Sequence, residues 1–244
     1  MKIVAVIPAR YASSRFPGKP LAEINGKPLV WWVYRRAIQV EEFDEVCVAT
    51  DDDRIRTACE ALGVSVVMTS TVHATGTDRL GEVAEKVEAD LYVNVQGDEP
   101  LVKPDTMKKA IGVFIDTPEL QVSCLMTKIV RTEDLDDPTV PKIVVNANNR
   151  AIYMSRLPAP FSKGGGEVAR YKQVCVYGFT PEALRMFCGT ERGPAERAED
   201  IELLRFIENG VEVQMVEVEQ DTVAVDTPED LERVRELMKD ETGE

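Results

Sequence analysis

Three cationic side chains, Arg10, Arg15 and Lys19, stand close together in residues 8–20, among small residues and one glycine. Small residues allow backbone N–H groups to approach phosphate oxygens, and guanidinium and ammonium groups neutralise the phosphate charge. The segment therefore predicts a site for a phosphate-containing ligand. Its spacing matches neither a Walker A loop nor a dinucleotide fingerprint, and its charge alone leaves a solvated basic loop as the alternative.

Two aspartates follow apolar, strand-like stretches: Asp98 comes after residues 91–95, and Asp226 comes after residues 222–225. Mg²⁺ takes oxygen ligands and keeps several waters, so one or two carboxylates suffice to hold it beside phosphate oxygens. The residues leave alternatives open, since Asp98 could be a turn residue and Asp-Thr-Pro-Glu is a common helix start that would make Asp226 an N-cap. The chain has one histidine, His73, which excludes a metal site built from several histidines. We expect it on a surface loop.

The elements that must position these residues alternate along the first part of the chain. Apolar runs predict strands at 3–7, 45–50, 64–68 and 91–95, and helical periodicity predicts helices at 29–37, 54–62 and 78–87. This alternation implies βαβ units and therefore a Rossmann-like α/β fold, with a mostly parallel sheet and helices on both faces. Ligands of such sheets bind beyond the carboxyl ends of the strands, which is where residues 8–20 and Asp98 fall.

The middle of the chain has strand patterns with little helix between them. Strands are predicted at 121–130, 142–145, 151–154 and 173–179, with a loop rich in Pro and Gly at 157–167. We therefore predict one domain over residues 1–244 that carries a small antiparallel insertion or flap at about 134–171. Exposed hairpins of this kind often pair between subunits. A helix at 200–208, a strand at 212–218 and a helix at 228–238 are predicted for the last part of the chain.

The net charge of −14 excludes whole classes of partner. A chain this acidic repels nucleic acid and anionic membranes, so an anionic substrate needs a local cluster of cations such as the one in residues 8–20. The five cysteines are odd in number and include no CxxC pair, which favours reduced, buried thiols in a reducing compartment. No apolar run has the length of a membrane span or of a signal-peptide core. These features predict a cytosolic protein.

Residues 8–20, which read Pro-Ala-Arg-Tyr-Ala-Ser-Ser-Arg-Phe-Pro-Gly-Lys-Pro, resemble the signature of the 3-deoxy-manno-octulosonate cytidylyltransferases, also called CMP-Kdo synthetases. The resemblance covers nearly the whole chain, and the first segment together with Gln-Gly-Asp-Glu-Pro is highly specific. Further matches at family-like spacing are Asn25-Gly26-Lys27-Pro28-Leu29, Ala49-Thr50-Asp51-Asp52, Met68-Thr69-Ser70, Thr75-Gly76-Thr77-Asp78-Arg79-Leu80, Asn94-Val95-Gln96-Gly97-Asp98-Glu99-Pro100, Tyr153-Met154-Ser155-Arg156 and Val225-Asp226-Thr227-Pro228-Glu229-Asp230-Leu231.

The resemblance implies a Mg²⁺-dependent enzyme of lipopolysaccharide biosynthesis that transfers CMP from CTP to the anomeric hydroxyl of the acidic sugar Kdo. It also implies a homodimer in the cytoplasm. It places Asp98 and Asp226 on the metal and gives catalytic roles to these two residues together with Arg10 and Lys19. The nucleotide-binding residues that it implies are Pro8, Ala9, Arg10, Ser14, Arg15, Lys19, Ser70, Thr75, Gly76, Thr77 and Arg79.

The match weakens at positions expected to face the sugar. The family typically has a histidine where this chain has Gln173 and a Glu-Gln pair where it has Glu202-Leu203. Loss of one hydrogen-bonding group from a polar site can change substrate preference by orders of magnitude. The alternatives are therefore a modified ulosonate such as 8-amino-Kdo, another small acid, or a non-catalytic nucleotide-binding regulator. The substrate-binding candidates are Gln96, Arg156, Gln173, Tyr177 and Glu202.

Several of these residues also have a structural interpretation. Arg156 is a credible partner for the sugar carboxylate, but it could instead form an ion pair that stabilises a loop. Tyr177 could belong to the core. Residues 75–79 could be a helix start capped by Thr77 or Asp78, which is compatible with nucleotide binding because a helix N-terminus favours anions.

Overall fold

The computed structural model describes residues 1–13, 15–219 and 223–242. They form two compact units, one of Met1–Lys108 with Thr222–Glu244 and one of Lys109–Asp221. The predicted fold class is confirmed: the chain is α/β, with a mostly parallel sheet, helices around it and a small antiparallel sheet. The single domain over 1–244 and the insertion at 134–171 stay predictions.

The boundaries of several elements agree with the sequence patterns, notably those of the first helix and of the strands at 45–50, 91–95 and 142–145. In the described residues the strands are β1 (Ile3–Pro8), β2 (Glu23–Ile24), β3 (Lys27–Pro28), β4 (Glu45–Thr50), β5 (Val66–Met68), β6 (Leu91–Val95), β7 (Val122–Lys128), β8 (Lys142–Val145), β9 (Ala151–Ser155), β10 (Tyr171–Phe179) and β11 (Val213–Glu217). The helices are α1 (Leu29–Ala37), α2 (Asp53–Glu60), α3 (Gly76–Lys86), α4 (Pro104–Asp116), α5 (Thr132–Asp136), α6 (Pro181–Gly189), α7 (Pro194–Glu199), α8 (Leu203–Glu208) and α9 (Pro228–Leu237), with a 3₁₀ helix at Lys19–Leu21.

The sheet of the first unit places two loops side by side. Strands β6, β1, β4 and β5 are neighbours in this order, and all are parallel. β1 and β6 are buried along almost their whole length, which is why neither alternates between apolar and polar residues; the one amide side chain in β6, Asn94, is buried as well. Since β1 and β6 run parallel and adjacent, the loops that follow them, which carry Lys19 and Asp98, leave the same edge of the sheet.

A short hairpin follows the 3₁₀ helix in the first unit. Asn25 and Gly26, between β2 and β3, have φ angles of 49° and 76°, the left-handed conformations that a two-residue hairpin turn requires. The Trp32 indole N–H donates to the Ile24 carbonyl at 2.8 Å, which ties α1 to the hairpin. The Asn25 side chain donates to the Met238 carbonyl at 2.6 Å. The hairpin after Lys19 thereby holds the end of α9, the helix that follows Asp226.

In the second unit, β7 lies between β11, which is parallel to it, and β10, which is antiparallel. β8 pairs antiparallel with both β10 and β9. The rings of Phe179 and Phe187 lie 5.5 and 5.3 Å from the ring of Phe206 and form an aromatic core. Beside it, the Arg205 guanidinium donates two hydrogen bonds of 2.7 Å to the Glu196 carboxylate, and both side chains are buried.

The structure also departs from the predicted elements. Helices α4–α7 have no counterpart among them, because α5–α7 are short and begin at prolines or polar residues instead of an extended apolar period. Helix α3 begins at Gly76, two residues before its predicted start. The strand predicted at 222–225 is wrong for residues 223–225, which form no strand, and residue 222 lies outside the described residues.

No helix in the described part of the chain is long and apolar enough to cross a membrane. Cys47, Cys59 and Cys124 are buried as expected, whereas Cys188 is exposed. Burial raises the pKa of Cys47 to about 12 and that of Cys59 to about 11, which keeps both thiols protonated and poorly nucleophilic.

Candidate active site

Two loop cations contact the candidate aspartates: Lys19 contacts both, and Arg15 contacts Asp226. The Lys19 ammonium lies 2.7 Å from Asp98 Oδ2 and 3.3 Å from Asp226 Oδ1. The Arg15 guanidinium reaches both carboxylate oxygens of Asp226, each at 3.1 Å. Lys19 is 14% exposed, whereas Asp98 and Asp226 are 27% and 35% exposed, so the carboxylates remain accessible to solvent. Arg10, the third predicted cation, has an exposed position in the same loop.

Asp226 is available for these contacts because its neighbour caps α9. The Thr227 hydroxyl accepts the Asp230 N–H at 3.2 Å, and the Asp230 carboxylate accepts the Thr227 N–H at 2.9 Å. This reciprocal capping box satisfies two donors of the helix N-terminus. Thr227 is therefore the cap of α9, and the alternative in which Asp226 caps this helix is wrong. The Val225 N–H donates to the Asp98 carbonyl at 2.9 Å, so the two aspartates are held together through the main chain.

Tyr11 fixes the shape of the loop between β1 and the 3₁₀ helix. The Arg54 guanidinium carbon lies 3.3 Å from the centre of the Tyr11 ring, a close cation–π contact. The Gly18 N–H donates to the Tyr11 carbonyl at 2.9 Å, and Gly18 has a φ of +74°, which glycine adopts without strain. These contacts close the loop immediately before Lys19. Ser14, a predicted nucleotide-binding residue, lies outside the described residues.

The loops after β1 and β6 touch through their main chains. A Cβ atom on Gly97 would lie 2.7 Å from the Pro8 carbonyl oxygen, so the close approach requires glycine. Ala9 is buried and donates its N–H to the Ala49 carbonyl at 2.9 Å. Gln96 is half-buried beside Gly97 in the chain. The structure therefore brings Pro8 and Ala9 to the same edge of the sheet as Gln96.

The N-terminus of α3 packs against the first loop. A Cβ atom on Gly76 would lie 3.5 Å from the Pro8 ring. Thr75 is the cap: its hydroxyl accepts the Asp78 N–H at 3.1 Å, and the Asp78 carboxylate accepts the Thr75 N–H at 3.1 Å. The expected cap at Thr77 or Asp78 is therefore wrong, because Asp78 occupies the third helical position, where it completes a capping box. Thr77 is buried.

Arg79 points into the protein. It is 4% exposed, donates to the Thr69 hydroxyl and lies 3.4 Å from the Asp51 carboxylate. Its guanidinium thus ties α3 to the segments that follow β4 and β5. Among the predicted nucleotide-binding residues, this side chain has the clearest structural task.

Glu82, on the same helix, holds the segment before α3. Its carboxylate accepts the Ser70 N–H at 2.8 Å, pairs with His73 Nε2 and lies 2.7 Å from the Lys86 ammonium. Lys86 also donates to the Met68 carbonyl at 2.6 Å. Burial alone raises the pKa of Glu82, but these hydrogen bonds outweigh it and lower the pKa to about 2. His73 lies in a loop as predicted, yet its side chain is only 17% exposed.

Three of the substrate-binding candidates come together in the second unit. The Gln173 amide donates to the Tyr177 hydroxyl at 2.8 Å, and Glu202 is an electrostatic neighbour of the same hydroxyl. Tyr177 is buried, and this burial, followed by the neighbouring Cys175, raises its pKa well above the ordinary value. Tyr177 therefore has the burial of a core residue and a hydroxyl that stays protonated.

Arg156 is engaged by main-chain carbonyls. Its guanidinium donates to Pro138 at 2.8 Å, to Asp200 at 2.9 Å and to Glu199. A guanidinium has five N–H donors, so these bonds use three of them. These hydrogen bonds to carbonyls hold the loop in place of the ion pair that the alternative expected, and they leave two donors for another partner.

Comparison with known proteins places the chain in a family. The sequence model of the cytidylyltransferases matches residues 4–217. The 3-deoxy-manno-octulosonate cytidylyltransferase of Geobacter sulfurreducens is 43% identical over 250 aligned residues, which cover 98% of this chain and 100% of that protein. The enzyme of the same name from Escherichia coli is 44% identical over 244 residues, covering 100% of this chain and 98% of the relative. The chain belongs to the 3-deoxy-manno-octulosonate cytidylyltransferase family.

A solved structure agrees with this family assignment. The chain is similar to CMP:2-keto-3-deoxy-manno-octonic acid synthetase complexed with CTP, with a TM-score of 0.94 and 42% sequence identity. The match covers 99% of this chain and 100% of that structure. This cytidylyltransferase therefore has the family's fold from end to end.

The aspartates of this cytidylyltransferase suit a hard divalent cation. Asp98 and Asp226 offer carboxylate oxygens that are partly open to solvent, so a bound ion can keep waters and accept phosphate oxygens. The described residues contain no group of three or more His, Cys, Asp or Glu side chains that could hold a metal.

The structural roles of some residues around the site could not be predicted from the sequence. Tyr11 and Arg54 meet only in the folded chain, and Gly97 is explained only by the nearness of Pro8. Glu82 had a weak signal, because Glu and Lys four residues apart on a helix form a favourable pair with Lys86.

Proposed function

We propose that this chain transfers CMP from CTP to the anomeric hydroxyl of 3-deoxy-manno-octulosonate (Kdo), giving CMP-Kdo and pyrophosphate. The observation that carries the proposal is the contact of Lys19 and Arg15 with Asp98 and Asp226. It brings cations suited to phosphate and carboxylate oxygens suited to a metal together in a protein of this family, which supports the proposal. The family relationship over the full chain supports both CTP and Kdo as substrates.

Each of the cations and carboxylates has a proposed role. Arg10, Arg15 and Lys19 bind the triphosphate and neutralise the leaving pyrophosphate. Asp98 and Asp226 hold Mg²⁺, which when bound polarises the α-phosphate and favours ionisation of the attacking hydroxyl. The remaining proposed nucleotide-binding residues, which shape the walls of the nucleotide site, are Pro8, Ala9, Ser14, Ser70, Thr75, Gly76, Thr77 and Arg79.

The reaction is an in-line displacement at the α-phosphorus. A bond forms between the anomeric oxygen and phosphorus, the bond from phosphorus to the pyrophosphate oxygen breaks, and the hydroxyl proton passes to solvent. Such transfers need little covalent chemistry from the protein, so orientation and charge neutralisation supply the rate enhancement. Tyr11 and Gly97 serve this purpose indirectly, because they fix the loops that carry Lys19 and Asp98.

For the sugar we propose Gln96, Arg156, Gln173, Tyr177 and Glu202. The two guanidinium donors of Arg156 that remain beside its carbonyl bonds suit a carboxylate. The Tyr177 hydroxyl stays protonated and accepts a hydrogen bond from Gln173, which makes the pair a polar group suited to a sugar hydroxyl. Gln173 offers an amide where the family has an imidazole, and this favours a modified ulosonate such as 8-amino-Kdo as the second candidate substrate.

We further propose a homodimer in the cytoplasm, working in lipopolysaccharide biosynthesis. The second unit carries large apolar side chains that are strongly exposed, with Val130 at 86%, Leu157 at 72% and Phe161 at 87%. Exposed apolar patches commonly mark protein–protein contacts. These residues lie in or beside the predicted insertion at 134–171, which supports a role for it in dimerisation.

Pyrophosphate release in the presence of CTP and Mg²⁺ tests the proposal, with Kdo, 8-amino-Kdo, sialic acid and simple phosphonates as acceptors. Release with Kdo is the expected result, and release only with another acid would move the substrate while keeping the mechanism. Asp98→Asn should lower the rate at least about 100-fold, because a catalytic metal contributes several kcal/mol. Asp105→Asn, an exposed aspartate in the first turn of α4, is the matched control. Tight CTP binding without release from any acceptor would refute catalysis and favour the nucleotide-binding regulator.

A further inference from the structure

The carboxylates that we assign to the metal are already balanced by cations of the chain itself. Asp98 and Asp226 carry two negative charges, and Lys19 and Arg15 bring two positive charges to them. Lys19 is central to this arrangement, because its ammonium bridges both carboxylates at 2.7 and 3.3 Å. Arg15 touches Asp226 alone, and its side chain is 56% exposed.

A divalent cation bound to both aspartates would meet this ammonium. The Lys19 nitrogen lies within hydrogen-bond distance of one oxygen from each carboxylate. The divalent ion and the ammonium therefore compete for the same oxygens. Two cations a few ångströms apart also repel each other. Because Lys19 is only 14% exposed, solvent does little to screen this repulsion.

A triphosphate removes the conflict. It offers the Lys19 and Arg15 side chains a larger negative charge than the aspartates do, and it brings phosphate oxygens that serve as ligands for the metal. When the ammonium turns to the phosphate, the carboxylate oxygens become available. Nucleotide binding and metal binding then favour one another.

We propose that Lys19 couples the two events: it occupies the metal-binding oxygens until CTP draws it away, so that metal and nucleotide bind with positive cooperativity. The proposal rests on the proposed function for the identity of the nucleotide. Its first half, competition between Lys19 and a divalent cation, concerns only side chains of this chain. By linkage, CTP must raise metal affinity by the same factor by which the metal raises CTP affinity.

The experiment measures Mn²⁺ binding to the full chain without any sugar, by counting free Mn²⁺ with electron paramagnetic resonance. Wild-type protein should bind Mn²⁺ weakly alone and roughly 10- to 100-fold more tightly with CTP, the range of ordinary coupling, when the protein is in excess over CTP so that Mn²⁺ held by free nucleotide is not counted. Lys19→Met should bind Mn²⁺ about 10-fold more tightly than wild type in the absence of nucleotide. CTP should then raise its Mn²⁺ affinity by a factor about 10-fold smaller than in wild type, because only the phosphate ligands still contribute.

Controls make the result specific to this site. Lys103→Met, at an exposed lysine of the same unit, should leave both affinities unchanged. Asp98→Asn should abolish the nucleotide-free binding of Mn²⁺ to Lys19→Met, which assigns that binding to this site. Lys19→Gln serves as a second variant, and circular dichroism verifies that each variant is folded.

The proposal would be overturned if neither Lys19 variant bound Mn²⁺ more tightly than wild type in the absence of nucleotide. The ammonium would then stabilise the arrangement of the carboxylates instead of competing for them. The same holds for wild-type protein whose Mn²⁺ affinity is unchanged by bound CTP. Wild-type protein that fails to bind CTP at all contradicts the proposed function instead. The nucleotide-free comparison still decides the competition in that case.

Discussion

Replacement of Gly97 by alanine tests whether main-chain contact between two loops positions the site. The new Cβ would lie 2.7 Å from the Pro8 carbonyl oxygen and 3.4 Å from Ile7 Cγ2, so the backbone of one loop has to move. Overpacking of this kind costs about 1–3 kcal/mol. For a chain of this size each kcal/mol lowers the melting temperature by about 2–4 °C, which gives a loss of roughly 2–12 °C. Asp98 is the next residue, so the displacement should also lower turnover by up to roughly 100-fold.

Gly112→Ala provides the matched control. Gly112 lies inside α4, and a Cβ there would meet nothing within 4 Å. Alanine is favoured over glycine in a helix by about 1 kcal/mol, so this variant should melt about 2–4 °C higher. Differential scanning fluorimetry of both variants, followed by pyrophosphate release, checks the pair. An unchanged melting temperature for Gly97→Ala would refute the argument from close approach, as would a loss of the same size in both variants.

Three further predictions concern other parts of the chain. Glu196→Gln leaves the buried Arg205 guanidinium without its counter-charge and should cost about 3–5 kcal/mol in urea unfolding, whereas a Leu/Met replacement of the pair should cost much less. Because the pKa of Glu82 is lowered, its carboxylate stabilises the fold above pH 4.5 and loses this effect as the pH falls towards about 2. Thermal unfolding of wild type and Glu82→Gln should therefore show a stability difference that is largest near neutral pH and vanishes in acid. Thr227→Ala should cost about 1 kcal/mol by loss of the α9 cap, and Thr227→Ser should retain most of it; equal losses in the two variants would contradict the capping role.

The sequence predicted the elements of the first unit well because their signals are local. β1, β4 and β6 are short, mostly apolar runs, and α1 has a clear helical period. The short helices α5 and α7 were missed, because a helix of five or six residues carries too few residues to establish a period and depends on tertiary packing.

In the candidate site, the identities of the residues could be predicted from the sequence, but their contacts could not. Residue types and family spacing identified Lys19, Asp98 and Asp226, but their contacts join residues about 80 and 207 positions apart. No local pattern contains such contacts. The same is true of Arg79, whose charge suggested a ligand while its burial against Thr69 gives it a structural task.

The start of α9 illustrates how close two local alternatives can be. Asp226 as the cap would place Glu229 at the third helical position, and Thr227 as the cap places Asp230 there, so either choice gives a capping box. Proline decides between them: with Thr227 as the cap, Pro228 is the first helical residue, where its fixed φ and its missing N–H cost nothing. The helix therefore starts one residue later than the stronger capping residue would suggest. That single step releases the Asp226 carboxylate to Lys19 and Arg15, and it makes a metal-binding role for Asp226 compatible with a fully capped helix.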